Sequence, residues 1–293
     1  MSVRRVEPPE RIESALVVTH TQPGQTDAAL ERIAEIAADR GVALYAEPDE
    51  RERHEALGAA FRPAEELGGA ADVCLVLGGD GTILRALRRT AGSGTPVFGF
   101  NFGTVGFLAA TGREGLDEAL TPALEGAFEV MALPGLRCDA SGVERPLALN
   151  DISLIRGQGK RVAELAYSVG GTEIANVRCD GVVAATPAGS TGYNLANAGP
   201  ILAWGVQGYV VSFIAPHTLT GRALVVAPGD VLRISNARGR DPVDIAFDGS
   251  HEAELGSGEA VEIAFSEDVS RLAQLSGSSF YDRVLEKFGP LAR

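Results

Sequence analysis

Apolar residues in the first 110 positions form short, unbroken runs, and the segments between these runs have helical spacing. Between the first two runs, Leu30, Ile33 and Ala37 recur on one face of a predicted helix over 27–40, which Gly41 would end. Unbroken apolar runs are typical of strands buried on both faces, and strands that alternate with helices indicate a parallel sheet. The strands predicted in this way are 14–19, 42–45, 73–77 and 96–100.

After about position 112 the pattern changes to short apolar runs at close spacing, separated by turn sequences such as Gly170-Gly171 and Asp248-Gly249. This spacing predicts antiparallel strands. One helix is expected over 114–124, and a final amphipathic helix is expected over 279–288. The predicted strands are 147–155, 162–169, 182–186, 208–215, 223–227, 231–235, 243–247 and 259–265.

The two patterns predict a two-domain protein. A Rossmann-like α/β domain with a parallel sheet is expected over 1–112, and an all-β-rich domain is expected over 113–276. The last segment, 277–293, is expected to form a C-terminal helix that packs back on the first domain. A chain of 293 residues is long enough to give both domains a full core.

Charge and composition narrow the choice of partners and compartment. The net charge of −13 argues against nucleic acid and against anionic membranes as partners. No apolar run approaches the ~18 residues of a membrane helix, and the N-terminus lacks the apolar core of a signal peptide, so a cytoplasmic location is expected. The three scattered cysteines, Cys74, Cys138 and Cys179, are expected to be reduced and buried.

The first candidate for chemistry is Gly78-Gly79-Asp80-Gly81-Thr82, here called the glycine turn, which joins the 73–77 strand to a predicted helix. Its glycines allow a sharp turn with close ligand approach, and the amides that open the helix suit an anion. Asp80 would be repelled by an anion unless it holds a metal or accepts a proton from a hydroxyl. The alternative is a structural turn in which Asp80 caps the helix.

Three stretches in the β-rich half could also contact a ligand. Asn150-Asp151 and Asp180-Gly181 each precede an apolar strand, and each on its own is usually a turn. The third stretch, 186–196, combines small residues, hydroxyls and Tyr193, more than a structural turn needs. Ser190 is predicted to cap a short helix that ends at Gly199-Pro200.

Other known site motifs are incomplete or absent in this sequence. The sequence Gly157-Gln158-Gly159-Lys160-Arg161 resembles a P-loop but lacks the Ser or Thr after the lysine, and the glycine turn lacks the last glycine of a dinucleotide fingerprint. No Gly-x-Ser-x-Gly sequence and no pair of histidines at metal-ligand spacing occurs. Any polyanionic substrate is therefore expected to be held by arginines, backbone amides or a metal.

Taken together, these stretches resemble the NAD kinase family, in which the same pieces occur in the same order. The glycine turn alone is shared with phosphofructokinases and with diacylglycerol and sphingosine kinases, whereas the later series singles out NAD kinases. The matching pieces span 78 to about 226 and are the glycine turn, Asn101-Phe102-Gly103 with Gly106-Phe107-Leu108, Asn150-Asp151, Asp180-Gly181, 186–193 and Ala215-Pro216-His217-Thr218-Leu219.

The resemblance implies an NAD kinase-like two-domain fold and an activity. The implied reaction is the phosphorylation of the 2′-hydroxyl of the adenosine ribose of NAD, with ATP or another phosphoryl donor, to give NADP. Mg²⁺ is implied on the donor phosphates, with no metal site built from protein ligands. The family also forms homodimers or homotetramers, in which the β-rich domains bind NAD and associate.

Roles for individual residues follow from the same resemblance. Asp80 is implied as the proton acceptor, Asn150 and Asp151 as contacts to polar groups of NAD, and Asp180 as a neighbour of the nicotinamide end. The implied phosphate and ATP contacts are Gly78, Gly79, Gly81 and Thr82. The implied NAD contacts are Asp80, Gly81, Arg85, Asn150, Asp151, Arg161, Arg178, Asp180, Thr191, Gly192, Tyr193, Asn194, Leu195, Ala196 and Ala215.

The chain departs from the family pattern at five positions. Asp151 stands where Glu is usual, Ala188 replaces Thr or Ser, Gly192 replaces Ala, Ala198 replaces Gly, and Ala223 replaces Pro. A roomier nucleotide pocket is therefore expected, with an altered NAD affinity or NAD-versus-NADH preference. Two alternative functions are a lipid kinase with the same glycine turn, and an NAD(H)-binding sensor that has lost turnover.

Overall fold

The computed structural model describes residues 4–20, 22, 24–54, 58, 60–103, 106–141, 143, 146–218, 221–237 and 239–289. The chain divides into two compact units. The N-terminal unit combines Arg4–Ala132 with Ser270–Arg293, and the C-terminal unit is Leu133–Val269. Within the described ranges, no helix is both long enough and apolar enough to cross a membrane.

Strands outnumber helices in the part of the chain that the structure describes. The helices are α1 (Asp27–Arg40), α2 (Pro48–Arg53), α3 (Asp80–Arg89), α4 (Leu116–Glu125), α5 (Tyr193–Ala196) and α6 (Phe280–Phe288). The strands are β1 (Arg5–Val6), β2 (Ser14–Thr19), β3 (Ala43–Ala46), β4 (Phe61–Pro63), β5 (Val73–Gly78), β6 (Pro96–Asn101), β7 (Thr111–Gly112), β8 (Glu129–Asp139), β9 (Leu147–Ala148), β10 (Asp151–Arg156), β11 (Ala163–Val169), β12 (Thr172–Cys179), β13 (Gly181–Ala185), β14 (Tyr209–Ile214), β15 (Leu224–Val226), β16 (Leu232–Ser235), β17 (Val243–Phe247), β18 (Ser250–Leu255) and β19 (Ala260–Gln274).

The N-terminal unit is built on a parallel sheet. Its strands lie in the order β4-β3-β2-β5-β6, and the end of β19 pairs with β6 through Arg271–Pro96 and Leu272–Val97. All six residues of β5 are buried, as expected for a strand covered on both faces. Helix α1 packs Leu30 and Ile33 into the core of this unit, and ends at Gly41 in the left-handed conformation.

The C-terminal unit contains two antiparallel groups of strands around one core. One sheet has the order β15-β14-β13-β10-β17-β18, and in the other group β12, β11, β16 and the first part of β19 pair in turn. The ring of Tyr167 on β11 lies 5.3 Å from that of Phe213 on β14, so side chains of both groups share the core. The sequence-based prediction of an α/β unit and a β-rich unit is therefore confirmed.

The boundaries between the two units differ from the expected ones, which lie between residues 112 and 113 and between residues 276 and 277. It falls after Ala132, because Leu120 and Leu124 of α4 pack in the core of the N-terminal unit. It falls again before Ser270, because the end of β19 pairs with β6. Helix α6 belongs to the N-terminal unit, where the Phe280 and Phe288 rings lie about 6 Å from the ring of Phe107.

The strands missing from the sequence-based prediction include two of the C-terminal unit, β12 and β18. Both β12 and β18 lie at the edge of a sheet and expose most of their side chains. Their sequences, Thr-Glu-Ile-Ala-Asn-Val-Arg-Cys and Ser-His-Glu-Ala-Glu-Leu, therefore lack the apolar runs that mark the buried strands. Edge strands with polar side chains are common because they resist pairing with other chains.

Candidate active site

The glycine turn connects β5 to α3 at the carboxyl end of the parallel sheet, where ligands bind in folds of this type. A Cβ atom on Gly78 would lie 2.5 Å from the Thr82 hydroxyl oxygen, so this close approach requires glycine. The Thr82 and Ile83 amides donate to the Gly79 carbonyl oxygen, at 2.9 and 3.1 Å. Among the described residues no acceptor is seen for the amides of Asp80 and Gly81, which suits them to a phosphate oxygen.

Asp80 is the first residue of α3, and its carboxylate is fixed by the segment that follows β6. Oδ2 accepts the Phe107 amide at 2.7 Å and Oδ1 accepts the Leu108 amide at 3.1 Å. A Cβ atom on Gly106 would lie 2.1 Å from Oδ1, so a side chain there would displace the carboxylate. Asp80 is thus held in place by the backbone of Phe107 and Leu108. The interpretation of Asp80 as a helix cap is wrong, since Gly79 occupies the N-cap position.

Asn101 ends β6, and its side chain accepts the Gly103 amide at 3.0 Å. The Phe102 amide donates to the Gly78 carbonyl oxygen at 3.3 Å, which ties this segment to the glycine turn. Arg85, expected to contact NAD, donates to the Thr19 carbonyl oxygen at 2.6 Å and to the buried Glu50 carboxylate at 3.0 Å. The Arg85 side chain is thus anchored at the carboxyl end of β2.

In the C-terminal unit, one carboxylate organises the start of β10. Asp248, in the β17–β18 turn at φ +49°, accepts the amides of Leu149 at 3.1 Å, Asn150 at 2.7 Å and Asp151 at 3.1 Å. Asp151 is 6% exposed, and burial, with a smaller contribution from the Asp248 charge, raises its pKa to about 7. The Asn-Asp pair is therefore a constrained polar site and not a free turn.

The 186–196 loop packs directly on this pair. The Thr186 hydroxyl donates to the Leu149 carbonyl oxygen at 2.7 Å, and the Thr186 amide donates to the Asn150 carbonyl oxygen at 2.9 Å. A Cβ atom on Gly189 would lie 2.0 Å from the Asn150 carbonyl oxygen, so the loop can approach Asn150 only with glycine at this position. The hydroxyl and the glycine of this motif thus hold the loop against Asn150.

The prediction that Ser190 caps a helix ending at Gly199 is wrong. Residues Gly189–Thr191 form a single 3-10 turn and α5 follows as a separate short helix. The Ser190 hydroxyl instead donates to the Pro187 carbonyl oxygen at 2.7 Å and accepts the Leu202 amide at 2.9 Å. A serine whose hydroxyl bridges two distant backbone segments is indistinguishable from a helix cap in sequence.

The predicted contacts in α5 and its flanks divide into two groups. Asn194 is fully buried and donates to the carbonyl oxygens of Ser190 at 2.9 Å and Pro200 at 3.0 Å, so it shapes the loop. Tyr193 is 37% exposed. Partial burial raises the pKa of its phenol, and the carboxylates of Asp151 and Asp180 raise it further. The remaining predicted contacts in this segment are partly or fully exposed, and they are Thr191, Gly192, Leu195 and Ala196.

Asp180 pairs with Arg156, a residue that the sequence did not single out. Arg156 Nε donates to Asp180 Oδ1 at 2.5 Å and Nη2 to Oδ2 at 3.4 Å, and this guanidinium holds the pKa of Asp180 below its usual value. Arg156 ends β10, opposite the start of β13. Arg156 and Asp248 were missed because each lies near its partner only after strands pair, although the Asp248-Gly249 turn was recognised.

Arg161 and Arg178, both predicted NAD contacts, lie together in the C-terminal unit. They line one open cleft of about 660 Å³. The other charged side chains lining it are Arg156, Lys160, Glu164, Arg240 and Asp241, so cations outnumber anions by five to two. Ala215, another predicted contact, is exposed at φ +43° directly after β14. Leu219, the last residue of the matching pieces, lies outside the described residues.

One small group of potential metal ligands lies on the β17–β18 hairpin. Ligand atoms of Asp244, His251 and Glu254 lie within 4.8 Å of one another. Asp244 and Glu254 are direct partners across the two strands, and all three side chains are open to solvent. Their proximity follows from strand register, and no side chain of this group is predicted to contact NAD.

Comparison with known proteins identifies the family. Residues 16–128 match the ATP-NAD kinase N-terminal domain, and residues 149–275 match the ATP-NAD kinase C-terminal domain. The chain is 36% identical over 269 residues to an NAD kinase of Acidovorax ebreus, which covers 90% of this chain and 85% of that protein.

Two solved structures share the fold. One is an NAD kinase from Archaeoglobus fulgidus in complex with ATP, with a TM-score of 0.73 and 26% identity over 95% of this chain and 98% of that one. The other is a yeast NADH kinase complexed with NADH, with a TM-score of 0.83 and 21% identity over 98% of this chain and 93% of that one. Both domain models match in order, and the Acidovorax ebreus NAD kinase is 36% identical over most of the chain. The chain therefore belongs to the ATP-NAD kinase family.

Proposed function

We propose that this NAD kinase transfers the terminal phosphoryl group of ATP to the 2′-hydroxyl of the adenosine ribose of NAD, with Asp80 as the proton acceptor. The observation that carries the proposal is the Asp80 carboxylate, fixed by two backbone amides beside the glycine turn. Family membership supports the reaction, and the Archaeoglobus fulgidus relative in complex with ATP supports the donor.

The geometry around Asp80 suits a base in phosphoryl transfer. Each carboxylate oxygen accepts one amide and keeps a further lone pair, so the group can still accept a hydrogen bond from a ribose hydroxyl. Phosphoryl transfer depends mainly on positioning and charge neutralisation. The fixed carboxylate positions the hydroxyl, and the helix-opening amides supply partial positive charge to the phosphates. The amides of Asp80 and Gly81 are proposed to bind donor phosphate oxygens.

Mg²⁺ is proposed to bind through the donor phosphates. In this proposal the remaining lone pairs of the Asp80 carboxylate are assigned to the ribose hydroxyl and not to the ion. Mg²⁺ commonly keeps several waters and binds substrate phosphates, so a site without a protein cage fits it. When bound, the ion supplies positive charge to the transferred phosphoryl group.

The C-terminal unit is proposed to bind the dinucleotide. Asn150 and Asp151 offer polar groups held rigidly by Asp248, and Tyr193 offers an exposed aromatic ring next to them. The cleft that contains Arg161 and Arg178 offers the positive charge that the pyrophosphate needs in a chain of net charge −13. The same unit is proposed to form a homodimer or homotetramer, which sedimentation analysis would distinguish.

A cytoplasmic location is part of the same proposal. All three cysteines, Cys74, Cys138 and Cys179, are buried and unpaired, and burial raises the thiol pKa of each one. Free thiols of this kind persist in a reducing compartment.

The direct test is NADP formation by the purified full-length chain given NAD, Mg²⁺ and ATP, with product identified chromatographically. The wild type is expected to form NADP, and polyphosphate and other triphosphates should be compared as donors. NAD binding without turnover for any donor would favour the sensor instead. Turnover of a lipid alcohol in place of NAD would favour the lipid kinase.

A further inference from the structure

A continuous series of hydrogen bonds links the C-terminal helix α6 to the Asp80 carboxylate, all within the N-terminal unit. Arg283 of α6 donates to Gln274 Oε1 at the end of β19. Gln274 Nε2 donates to the Leu108 carbonyl oxygen at 2.8 Å. The Leu108 amide then donates to Asp80 Oδ1 at 3.1 Å. The segment of Phe107 and Leu108 that binds Asp80 is therefore itself held by the Gln274 side chain, which Arg283 holds in turn.

Gln274 has a single orientation in this arrangement. Its side chain is 2% exposed, its oxygen accepts from Arg283 and its nitrogen donates to Leu108. A buried amide with both ends paired cannot rotate without leaving a polar group unsatisfied, which costs about 1–3 kcal/mol. The Leu108 peptide group, bonded at its oxygen and its nitrogen, is thereby fixed relative to Asp80.

Aromatic packing fixes the neighbouring residue of the same segment. The Phe107 ring lies 6.1 Å from the Phe280 ring and 6.0 Å from the Phe288 ring, both in α6. Lys287 Nζ of the same helix lies 4.8 Å from the centre of the Phe107 ring. Helix α6 thus contacts Phe107 through apolar and cation–π packing, and contacts Leu108 through the polar series.

Arg283 also brings charge close to Asp80. Burial lowers the pKa of the Arg283 guanidinium, and the carboxylates of Asp80 and Glu286 oppose that effect. An arginine is protonated at every physiological pH, so a cation stands behind the segment whose amides bind Asp80.

We infer that Gln274 and Arg283 are positioning residues for the phosphoryl-transfer reaction, which act by fixing the Phe107 and Leu108 amides that orient Asp80. The inference rests on the proposed role of Asp80 as proton acceptor. It makes α6, far from the glycine turn in sequence, a part of the catalytic apparatus. Neither residue belongs to the motifs that resemble the family, and neither is expected to contact NAD or ATP.

The test compares full-length Arg283→Met and Arg283→Lys with wild type in steady-state NADP formation. Arg283→Met is expected to lower kcat on the order of 10- to 100-fold, because small misplacements of a reacting group are this damaging, with KM for NAD and ATP nearly unchanged. Arg283→Lys, which keeps a cation and a donor, is expected to recover most of that loss. Arg271→Met is the matched control, since Arg271 is another arginine of the N-terminal unit, donates to the Gly94 carbonyl oxygen at 3.3 Å and takes no part in the series.

Gln274→Glu gives a second variant if Arg283→Met unfolds. The glutamate keeps an acceptor for Arg283 but loses the donor to Leu108, so kcat is expected to fall. The unpaired Leu108 carbonyl oxygen also lowers stability, so kcat is measured well below the melting temperature of the variant. In an Asp80→Asn background, Arg283→Met should lower the residual rate no further, since both residues act through one carboxylate.

Four results would overturn the inference. They are a wild-type kcat in both Arg283→Met and Gln274→Glu, an equal loss in Arg271→Met, a change confined to KM, and a full additional loss in the Asp80→Asn background. The proposed function fails in a different way: wild type would form no NADP, or Asp80→Asn would turn over normally. Loss of activity in Asp80→Asn with full activity in the other variants would reject only the role of Gln274 and Arg283.

Discussion

Asp248 and Asp151 are joined by two hydrogen bonds, one to a carboxylate and one to a backbone carbonyl, although both side chains are acidic. The Asp151 amide donates to the Asp248 carboxylate at 3.1 Å, and the Asp248 amide donates to the Asp151 carbonyl oxygen at 2.8 Å. The arrangement places an acceptor for three amides beside a buried carboxyl group. It explains how an Asn-Asp pair that resembles an ordinary turn becomes a rigid polar site.

The free energy of unfolding should decrease as pH rises, because of Asp151. Its pKa rises from an ordinary value of 3.8 to about 7 in the folded chain, so between these values the folded state binds more protons than the unfolded state. The contribution of this group is therefore present below about pH 4 and is lost as pH rises to about 7, by as much as about 4 kcal/mol. Urea unfolding from pH 4 to 8 should show this slope in wild type and a shallower slope in Asp151→Asn. Parallel curves would contradict the prediction.

Ala198 stands in the left-handed region at φ +57°, a conformation that favours glycine. An alanine in this conformation is strained by roughly 1–2 kcal/mol, and glycine is not. Ala198→Gly is therefore expected to raise the free energy of unfolding by about 1 kcal/mol, measured by chemical denaturation. Ala196→Gly, within helix α5, is the control and should lower it. A loss of stability in Ala198→Gly would refute the strain.

Removing Arg156 should affect ligand binding more than stability. The Arg156 and Asp180 side chains are each about one-third exposed, and pairs of this kind contribute about 1 kcal/mol or less to folding. Arg156→Met should thus barely change the melting temperature, while KM for NAD rises several-fold because Asp180 loses its orientation and the cleft loses a cation. Binding calorimetry at two salt concentrations measures this effect. Unchanged affinity would show that the pair has no role in the dinucleotide site.

The predicted roominess of the nucleotide pocket can be tested by restoring family residues. A Cβ atom on Gly192 would lie 3.3 Å from the Gly189 carbonyl oxygen, and Gly192 has φ −94° and ψ −123°, so an alanine there requires a small shift of the loop. Gly192→Ala combined with Asp151→Glu should therefore fold and should lower KM for one of NAD and NADH more than for the other. If the Michaelis constants for NAD and for NADH are the same in the wild type and in the double variant, the predicted roominess is refuted.

The sequence predicted the fold class and the family because those features rest on local patterns. Buried strands such as β5 are unbroken apolar runs, and the glycine turn is contiguous in sequence. Features that arise only on folding were out of reach: Asp248 meets Asp151 across 97 positions, and Gln274 meets Leu108 across 166. The misread role of Ser190 has the same cause, because its second partner, Leu202, is placed by the folded loop.

The division into units shows the same limit. Helix α4 follows the change of pattern in sequence, yet Leu120 and Leu124 belong to the N-terminal core. The pattern identified each element, but the contacts that assign an element to a unit involve residues far apart in the chain.

The measurement that most directly tests the central claim is kcat for Asp80→Asn against Asp72→Asn. Asp72 is a matched control in the same unit, since its Oδ2 also accepts two backbone amides, from Glu13 at 2.9 Å and Ser14 at 2.8 Å. If Asp80 is the proton acceptor, Asp80→Asn should lose on the order of 10²–10⁴ in kcat with NAD still bound, whereas Asp72→Asn should lose only stability. Equal kcat in the two variants would show that Asp80 serves only to bind amides.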